Sequence, residues 1–219
     1  MTTQPARTAP DLPTELSFAE YLRLYGSLEG FRSEWIGGKV AIYEMTNNQQ
    51  HQNIIFLLGM VLHFFLSGRG LGRLIQPNIP MYLGEDKAAR EPDLMILLSD
   101  NVQRAKATYV EGVADIVIEV VSPESSSRDY GIKFTEYEAA GVSEYWLIDP
   151  LRQAVMIYHL TLLHTGDEPT QRYQLLARDE QGRFISRLLP HFALDPSLLW
   201  REELPSGETL LALVQSMPR

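Results

Sequence analysis

Apolar and polar positions run through this chain in two rhythms, one of period near 3.6 and one of period 2, and the switches between them mark out the elements. Ser17-Phe-Ala-Glu-Tyr-Leu-Arg-Leu-Tyr opens on a serine suited to cap a helix and spaces Phe18, Tyr21, Leu22 and Tyr25 along one face before Gly26. A short amphipathic helix is predicted there. Glu34-Trp-Ile-Gly-Gly-Lys-Val-Ala-Ile-Tyr reads as two strands around a Gly37-Gly38 turn, which puts Glu34 in the first strand. Asn47 or Asn48 then caps a helix running to about Leu66. It is apolar on nearly all sides, so it must be buried on several faces and is expected to be the central helix, with His63 a core histidine.

Gly68-Arg-Gly-Leu-Gly72 closes a helix rather than opening one, so it reads as a stop and not as a phosphate-cradling loop. Segment 73–83 is broken by Pro77 and Pro80, as an edge or interrupted strand would be. The apolar runs 94–98 and 116–121 are buried-strand candidates. Segment 125–140 is a helix with Tyr130, Phe134 and Tyr137 at i, i+4 and i+7, stopped by Gly141, and 145–148 is another strand. Strand, helix and strand at this spacing predict parallel neighbours in one sheet. From Gln153 onward the pattern is of hairpins over 155–160, 172–177 and 183–186, with turns near Gly166-Asp167 and Gln181-Gly182 and a last helix over 208–216.

Composition adds exclusions. The chain has 219 residues and no cysteine, so any metal must be held by oxygen or imidazole. Residues 1–14 carry several prolines and no apolar run and read as a loose arm; residues 15–219 show no repeat or boundary and read as one domain. The most apolar stretch, 54–66, is too short and too interrupted by His63 to argue for a membrane span, which makes the cytoplasm the expected location. Net charge is −9, against the usual sign for a nucleic-acid binder. Nine acids against Arg128 and Lys133 put −7 of it between Glu111 and Asp149. That cluster is either a solvated face or the kind of oxygen-rich region where a hard divalent cation binds.

Glu119 carries the most information. It interrupts the strand Asp115-Ile-Val-Ile-Glu-Val-Val and shares a face with Val117 and Val121; a charge is not buried there without a partner, so Glu119 is either a functional carboxylate, one held in a salt bridge, or one exposed at the strand end. Asp93 follows Pro92 at the mouth of the neighbouring strand, where it is either a turn-forming residue that starts the strand or, together with Glu119, one of two acids that converge on one cation. Lys133 lies four residues after Asp129. It forms either an exposed ion pair or an amine that reaches back over Glu119. His51 opens the central helix and either binds phosphate, shuttles a proton or ends the helix with a backbone partner. Glu34 is either a site acid or a surface acid of its hairpin, and Asp149 before Pro150 is expected to cap a turn.

These residues, in this order, resemble the Uma2 family, long known only as a domain of unknown function and a branch of the PD-(D/E)XK nuclease superfamily. The resemblance rests on Glu34-Trp-Ile-Gly-Gly-Lys-Val, His51, Pro92-Asp93, Ile118-Glu119-Val-Val-Ser-Pro123, Arg128-Asp129 with Lys133 and Tyr137, and Gly141-Val-Ser-Glu-Tyr-Trp-Leu-Ile-Asp-Pro150. It implies a restriction-endonuclease-like α/β fold, a mixed central sheet flanked by helices and extended by C-terminal β-hairpins. It further implies Mg²⁺ or Mn²⁺ bound by Asp93, Glu119 and the Val120 carbonyl, Lys133 assisting the attacking water, Glu34 and His51 at the site, DNA as substrate, and a homodimer where both strands of a duplex are cut. The superfamily places its lysine two residues after the acid, where this chain has Val121, so Lys133 would substitute from the helix. Two other readings stay open: a catalytically silent metal- or nucleic-acid-binding module, and an interaction protein with an acidic face.

Overall fold

A computed structural model describes residues 12–13, 15–26, 31–44, 48–85, 87–164 and 168–218. The expected arm lies almost wholly outside these residues, as do Asn47 and the Gly166-Asp167 turn.

The first helix, α1 (Phe18–Tyr25), starts as its sequence dictates: the Ser17 hydroxyl accepts from the Glu20 N–H and the Glu20 carboxylate accepts from the Ser17 N–H, a reciprocal capping box. β1 (Phe31–Ile36) and β2 (Lys39–Glu44) form the expected hairpin, and both turn glycines have positive φ, 53° at Gly37 and 86° at Gly38. Capped by Asn48, α2 (Gln49–Arg69) ends on left-handed Gly70. The strands that follow are β3 (Gly72–Ile75), β4 (Met81–Tyr82), β5 (Ala88–Arg90), β6 (Leu94–Leu98), β7 (Val110–Glu111) and β8 (Ile116–Val120). Next come a π-helical turn (Arg128–Ile132), α3 (Lys133–Ala140), β9 (Glu144–Asp149), β10 (Ala154–Leu163), β11 (Thr170–Leu175), β12 (Phe184–Ile185), β13 (Ala193–Leu194) and α4 (Gly207–Ser216).

Two mixed sheets result. The larger has the order β11-β10-β9-β8-β6-β3, with β8 and β9 parallel as the strand–helix–strand spacing predicts; the smaller has the order β2-β1-β5-β4-β7. β12 and β13 pair only with each other. The N-terminal hairpin therefore founds a second sheet, and the C-terminal hairpin β10–β11 extends the first.

On the larger sheet the period of 2 divides β8 between two cores. Ile116, Ile118 and Val120 pack toward α2 and α4, whereas Val117 and Val121 pack with Tyr137 of α3. Glu119 belongs by alternation to the second face. Gly72 starts β3 at φ 148°, where an added Cβ would stand 2.2 Å from the Leu97 carbonyl oxygen, so only glycine lets β3 meet β6 this closely.

Three expectations are corrected here. His63 is exposed, because α2 is covered on one side only and its apolar sequence reaches the surface at Phe56 as well. α2 is also longer than the apolar run suggested: by length and composition it could cross a membrane, but half of the relevant stretch is buried inside this fold. The segment 125–140 is not one α-helix either. Its first part is wound as a π-turn, in which the Lys133 N–H donates to the Arg128 carbonyl.

Candidate active site

Glu119 lies near the C-terminal end of β8, and antiparallel pairing sets Leu94 of β6 opposite Ile118. That register brings Asp93, the residue before β6, to the same end of the sheet as Glu119, as expected for two acids on adjacent strands. The Val120 N–H donates to Asp93 Oδ2 at 2.7 Å, so the Asp93 carboxylate is tied directly to the strand that carries Glu119. Both are buried, at 2% and 1% exposure.

Lys133 is brought to them by the π-turn. A π-turn takes one more residue than an α-turn, so the helix is rephased, and both Asp129 and Lys133 face inward. The Lys133 amine donates to Glu119 Oε1 at 2.9 Å and lies 3.2 Å from Asp129 Oδ1 and 3.6 Å from Glu34 Oε1. Of its two readings from sequence, the exposed ion pair is overturned: lysine and partner are both interior. Tyr137, one turn on, donates its hydroxyl to the same Glu119 oxygen at 2.9 Å. Ser125 Oγ donates a short hydrogen bond to Asp129 Oδ2.

Glu34 is likewise no surface acid. Alternation along β1 turns Arg32 and Glu34 to one face, and β1 pairs with β5, whose Arg90 bridges Glu34 Oε2 at 2.5 Å and both oxygens of Glu136 at 2.7 and 2.8 Å. Arg32 Nη2 donates to Asp93 Oδ1 at 2.8 Å. His51 sits in the first turn of α2 with Nε2 3.5 Å from Asp93 Oδ2. Each candidate acid and base thus joins one cluster at the junction of the two sheets. Asp149 stands apart as expected, capping a turn by accepting from the Arg152 N–H.

The charges follow from this packing. Burial pushes the Asp93 carboxyl up, but Arg32 and His51 more than offset it and hold the group well below the usual carboxylate range. Burial dominates at Glu119 instead: with Asp129 and Asp93 adding repulsion and Lys133 opposing, its carboxyl is pushed up to about 7. For Lys133 burial favours the neutral amine, but Glu119, Asp129 and Glu34 outweigh it and hold the amine protonated. Held protonated by these acids, Lys133 suits orienting a water or stabilising developing negative charge. Burial lowers His51, while its hydrogen bonds to Asp93 and to the Val120 backbone raise it further than burial lowers it.

Arg32, Arg90 and Glu91 are members of this neighbourhood that sequence reasoning missed. Glu91 is buried, accepts the Tyr21 hydroxyl at 2.9 Å, and is pushed up to about 7, chiefly by burial. The available signal was the alternation Arg32-x-Glu34, which sends both charges to one face, but their partners lie more than fifty residues away.

As ligands, Asp93, Glu119 and the Val120 carbonyl offer hard oxygens of the type that Mg²⁺ and Mn²⁺ prefer. Mg²⁺ usually takes one or two carboxylates and completes its shell with water and phosphate. Among the described residues no group of three or more His, Cys, Asp or Glu is arranged to hold an ion by itself, so water and phosphate would have to complete the shell. A cleft of about 390 Å³ reaches Asp93 between Arg32, Tyr43, Asn48, His51 and Arg128. Arg128 stacks over the Tyr43 ring at 4.0 Å on its wall.

A protein-family model described as "Uma2: Putative restriction endonuclease" matches residues 18–197. The crystal structure of a putative nuclease belonging to DUF820 from Anabaena variabilis ATCC 29413, at 1.96 Å resolution, is similar to this fold with a TM-score of 0.63 at 20% sequence identity, over 84% of this chain and 97% of that one. No curated protein matches the chain.

Proposed function

The chain belongs to the Uma2 family of putative restriction endonucleases, and on that premise we propose that it hydrolyses phosphodiester bonds in DNA with Mg²⁺ or Mn²⁺ held by Asp93, Glu119 and the Val120 carbonyl. The observation that carries this reading is the meeting of Asp93 and Glu119 at one end of adjacent strands with the Lys133 amine on Glu119. When bound there, a divalent ion supplies a Lewis acid for the phosphorus and lowers the pKa of water.

The chain's own residues do the rest. Asp93, kept ionised by its cationic neighbours, and Glu119 present oxygens to one point. Lys133, held protonated by the surrounding acids, orients the attacking water and offsets charge developing on phosphate. Glu34 acts on Lys133 from behind, and Arg90 fixes Glu34 in turn. His51 and Arg32 line the approach, where a phosphate finds positive groups in spite of the acidic chain. This reading takes residues 15–219 as one nuclease domain behind an N-terminal arm, working in the cytoplasm, with two copies combining where both strands of a duplex are cut.

Purified protein with Mn²⁺ or Mg²⁺ is expected to nick supercoiled DNA, and Asp93→Asn and Glu119→Gln to stop it. Failure to cleave duplex, single-stranded and branched DNA alike would overturn the enzyme reading. A second reading, a silent site that binds metal or nucleic acid without turnover, is favoured by one observation: the cluster's carboxylates already have protein cations against them. It predicts Mn²⁺ binding without cleavage.

A further inference from the structure

We infer that Arg32 is an exchangeable counter-cation, which holds Asp93 while the site is metal-free and transfers to a substrate phosphate when a divalent ion binds, so that metal and substrate enter together. The inference rests on the nuclease reading above.

Three full cations enter the carboxylate cluster, and they are not equivalent. Arg90 is held by Glu34 and by both oxygens of Glu136, with its side chain 3% exposed. Lys133 is held among Glu119, Asp129 and Glu34 at the same exposure. Among the described residues Arg32 has its ion pair with Asp93 alone, and its side chain is 22% exposed. It also lines the cleft that reaches Asp93. Of the three, only Arg32 both occupies an oxygen of the proposed metal ligand and has a way out.

Local repulsion decides the direction: Arg32 Nη2 already lies 2.8 Å from Oδ1 of the carboxylate that would take the ion, whereas Arg90 and Lys133 are held on other acids. An ion on Asp93 would stand close to the guanidinium on that same carboxylate, where like charges repel strongly in a poorly solvated setting. A released guanidinium in the cleft can meet phosphate with two parallel donors, where Asp93 accepts one, from Nη2 to Oδ1. Without a phosphate it moves into water, and the exchange is less favourable. Metal binding should therefore tighten when an oligonucleotide is present, with Arg32 as one carrier of that coupling.

The test uses the full chain and Mn²⁺ alone, with free Mn²⁺ read by electron paramagnetic resonance. Arg32→Gln is expected to bind Mn²⁺ about tenfold more tightly than the wild type without nucleic acid. A short oligothymidylate should raise Mn²⁺ affinity in the wild type and raise it less in Arg32→Gln. Unchanged or weaker Mn²⁺ binding by folded Arg32→Gln overturns the inference. If that variant does not fold, nitrogen NMR of arginine-labelled wild type decides. Saturating Mg²⁺ with the oligonucleotide should move the guanidinium signal of Arg32 to a new shift and leave that of Arg90 in place, and an Arg32 signal that does not move overturns the exchange. Absence of Mn²⁺ binding by wild type and variant alike sinks the metal-dependent reading itself, whereas binding by the wild type without tightening in the variant sinks the exchange alone.

Discussion

Glu119 and Glu144 lie on neighbouring strands of one sheet, both almost fully buried, and they are held in opposite ways. Glu144 sits at the start of β9 and accepts from the Trp146 indole N–H and the Ser186 hydroxyl, each at 2.8 Å, and from the Arg187 and Leu188 N–H groups at 2.7 and 3.2 Å. These donors are neutral, and two of them are fixed in the backbone. Glu119, near the far end of β8, depends on the Lys133 amine and the Tyr137 hydroxyl and has two other carboxylates close enough to push its proton affinity up. Burial of an acid is therefore no sign of function in itself. The nature of the donors separates the two: fixed dipoles make Glu144 a joint between β9 and the C-terminal segment, whereas an ammonium and competing acids leave Glu119 able to change partners.

That contrast can be broken most decisively by catalysis. Asp93→Asn and Glu119→Gln are each expected to lower the rate of DNA nicking at least about a thousandfold, roughly 4 kcal/mol of transition-state stabilisation, while thermal melting shows the fold intact. Retained nicking by Glu119→Gln would remove Glu119 from the exchangeable class, and retained nicking by Asp93→Asn would remove Asp93 from the site. Next in size, Glu144→Ala should destabilise the fold by about 3 kcal/mol, read by urea denaturation, because the indole and two backbone N–H groups lose their acceptor. Nicking per folded molecule should be unchanged, and a specific loss of activity would erase the distinction drawn here.

Lys133→Met tests the same boundary from the cation's side. Removing the ammonium leaves Glu119, Asp129 and Glu34 facing one another, at a cost of about 2–3 kcal/mol at pH 8. Protonation of the acids relieves it, so the gap to wild type in chemical denaturation should narrow at pH 5. A gap independent of pH would mean that packing, not charge, is what Lys133 contributes.

The smallest effect belongs to the joint class. Burial raises the Asp149 carboxyl, but Tyr130 and Arg152 more than offset it and hold it below its usual value. A carboxyl lowered by folding stabilises above its unfolded pKa and loses that contribution as pH falls through its folded one. Asp149→Asn should thus cost about 1 kcal/mol at pH 7, and the difference should shrink below about pH 4. An undiminished difference at low pH would show that the charge of Asp149 is not what holds its turn.

Much of this contrast was legible in the sequence, though unevenly. The strand pattern placed Glu119 on an apolar strand and Asp93 at its neighbour's mouth, because a period of 2 and a proline are local signals. Arg32 and Arg90 were not legible, since what matters about them is a meeting of β1 with β5 and Asp93 across more than fifty residues. Glu144 escaped notice for a related reason: its donors at 186–188 arrive from a segment whose docking no local rhythm announces. The exposure of His63 is not legible because an evenly apolar helix carries no phase from which to tell inside from outside.

The π-turn before α3 has a consequence for how such sites diversify. Successive residues of an α-helix are displaced by about 100° around its axis, so a one-residue insertion or deletion within 128–132 would swing Lys133 through roughly that angle while leaving its place in the alignment almost unchanged. Position along the chain and position in space are uncoupled at that turn. A lineage can thus gain or lose its ammonium group without any substitution at the lysine, and a search keyed to fixed spacing from the acid will pass over members that keep it.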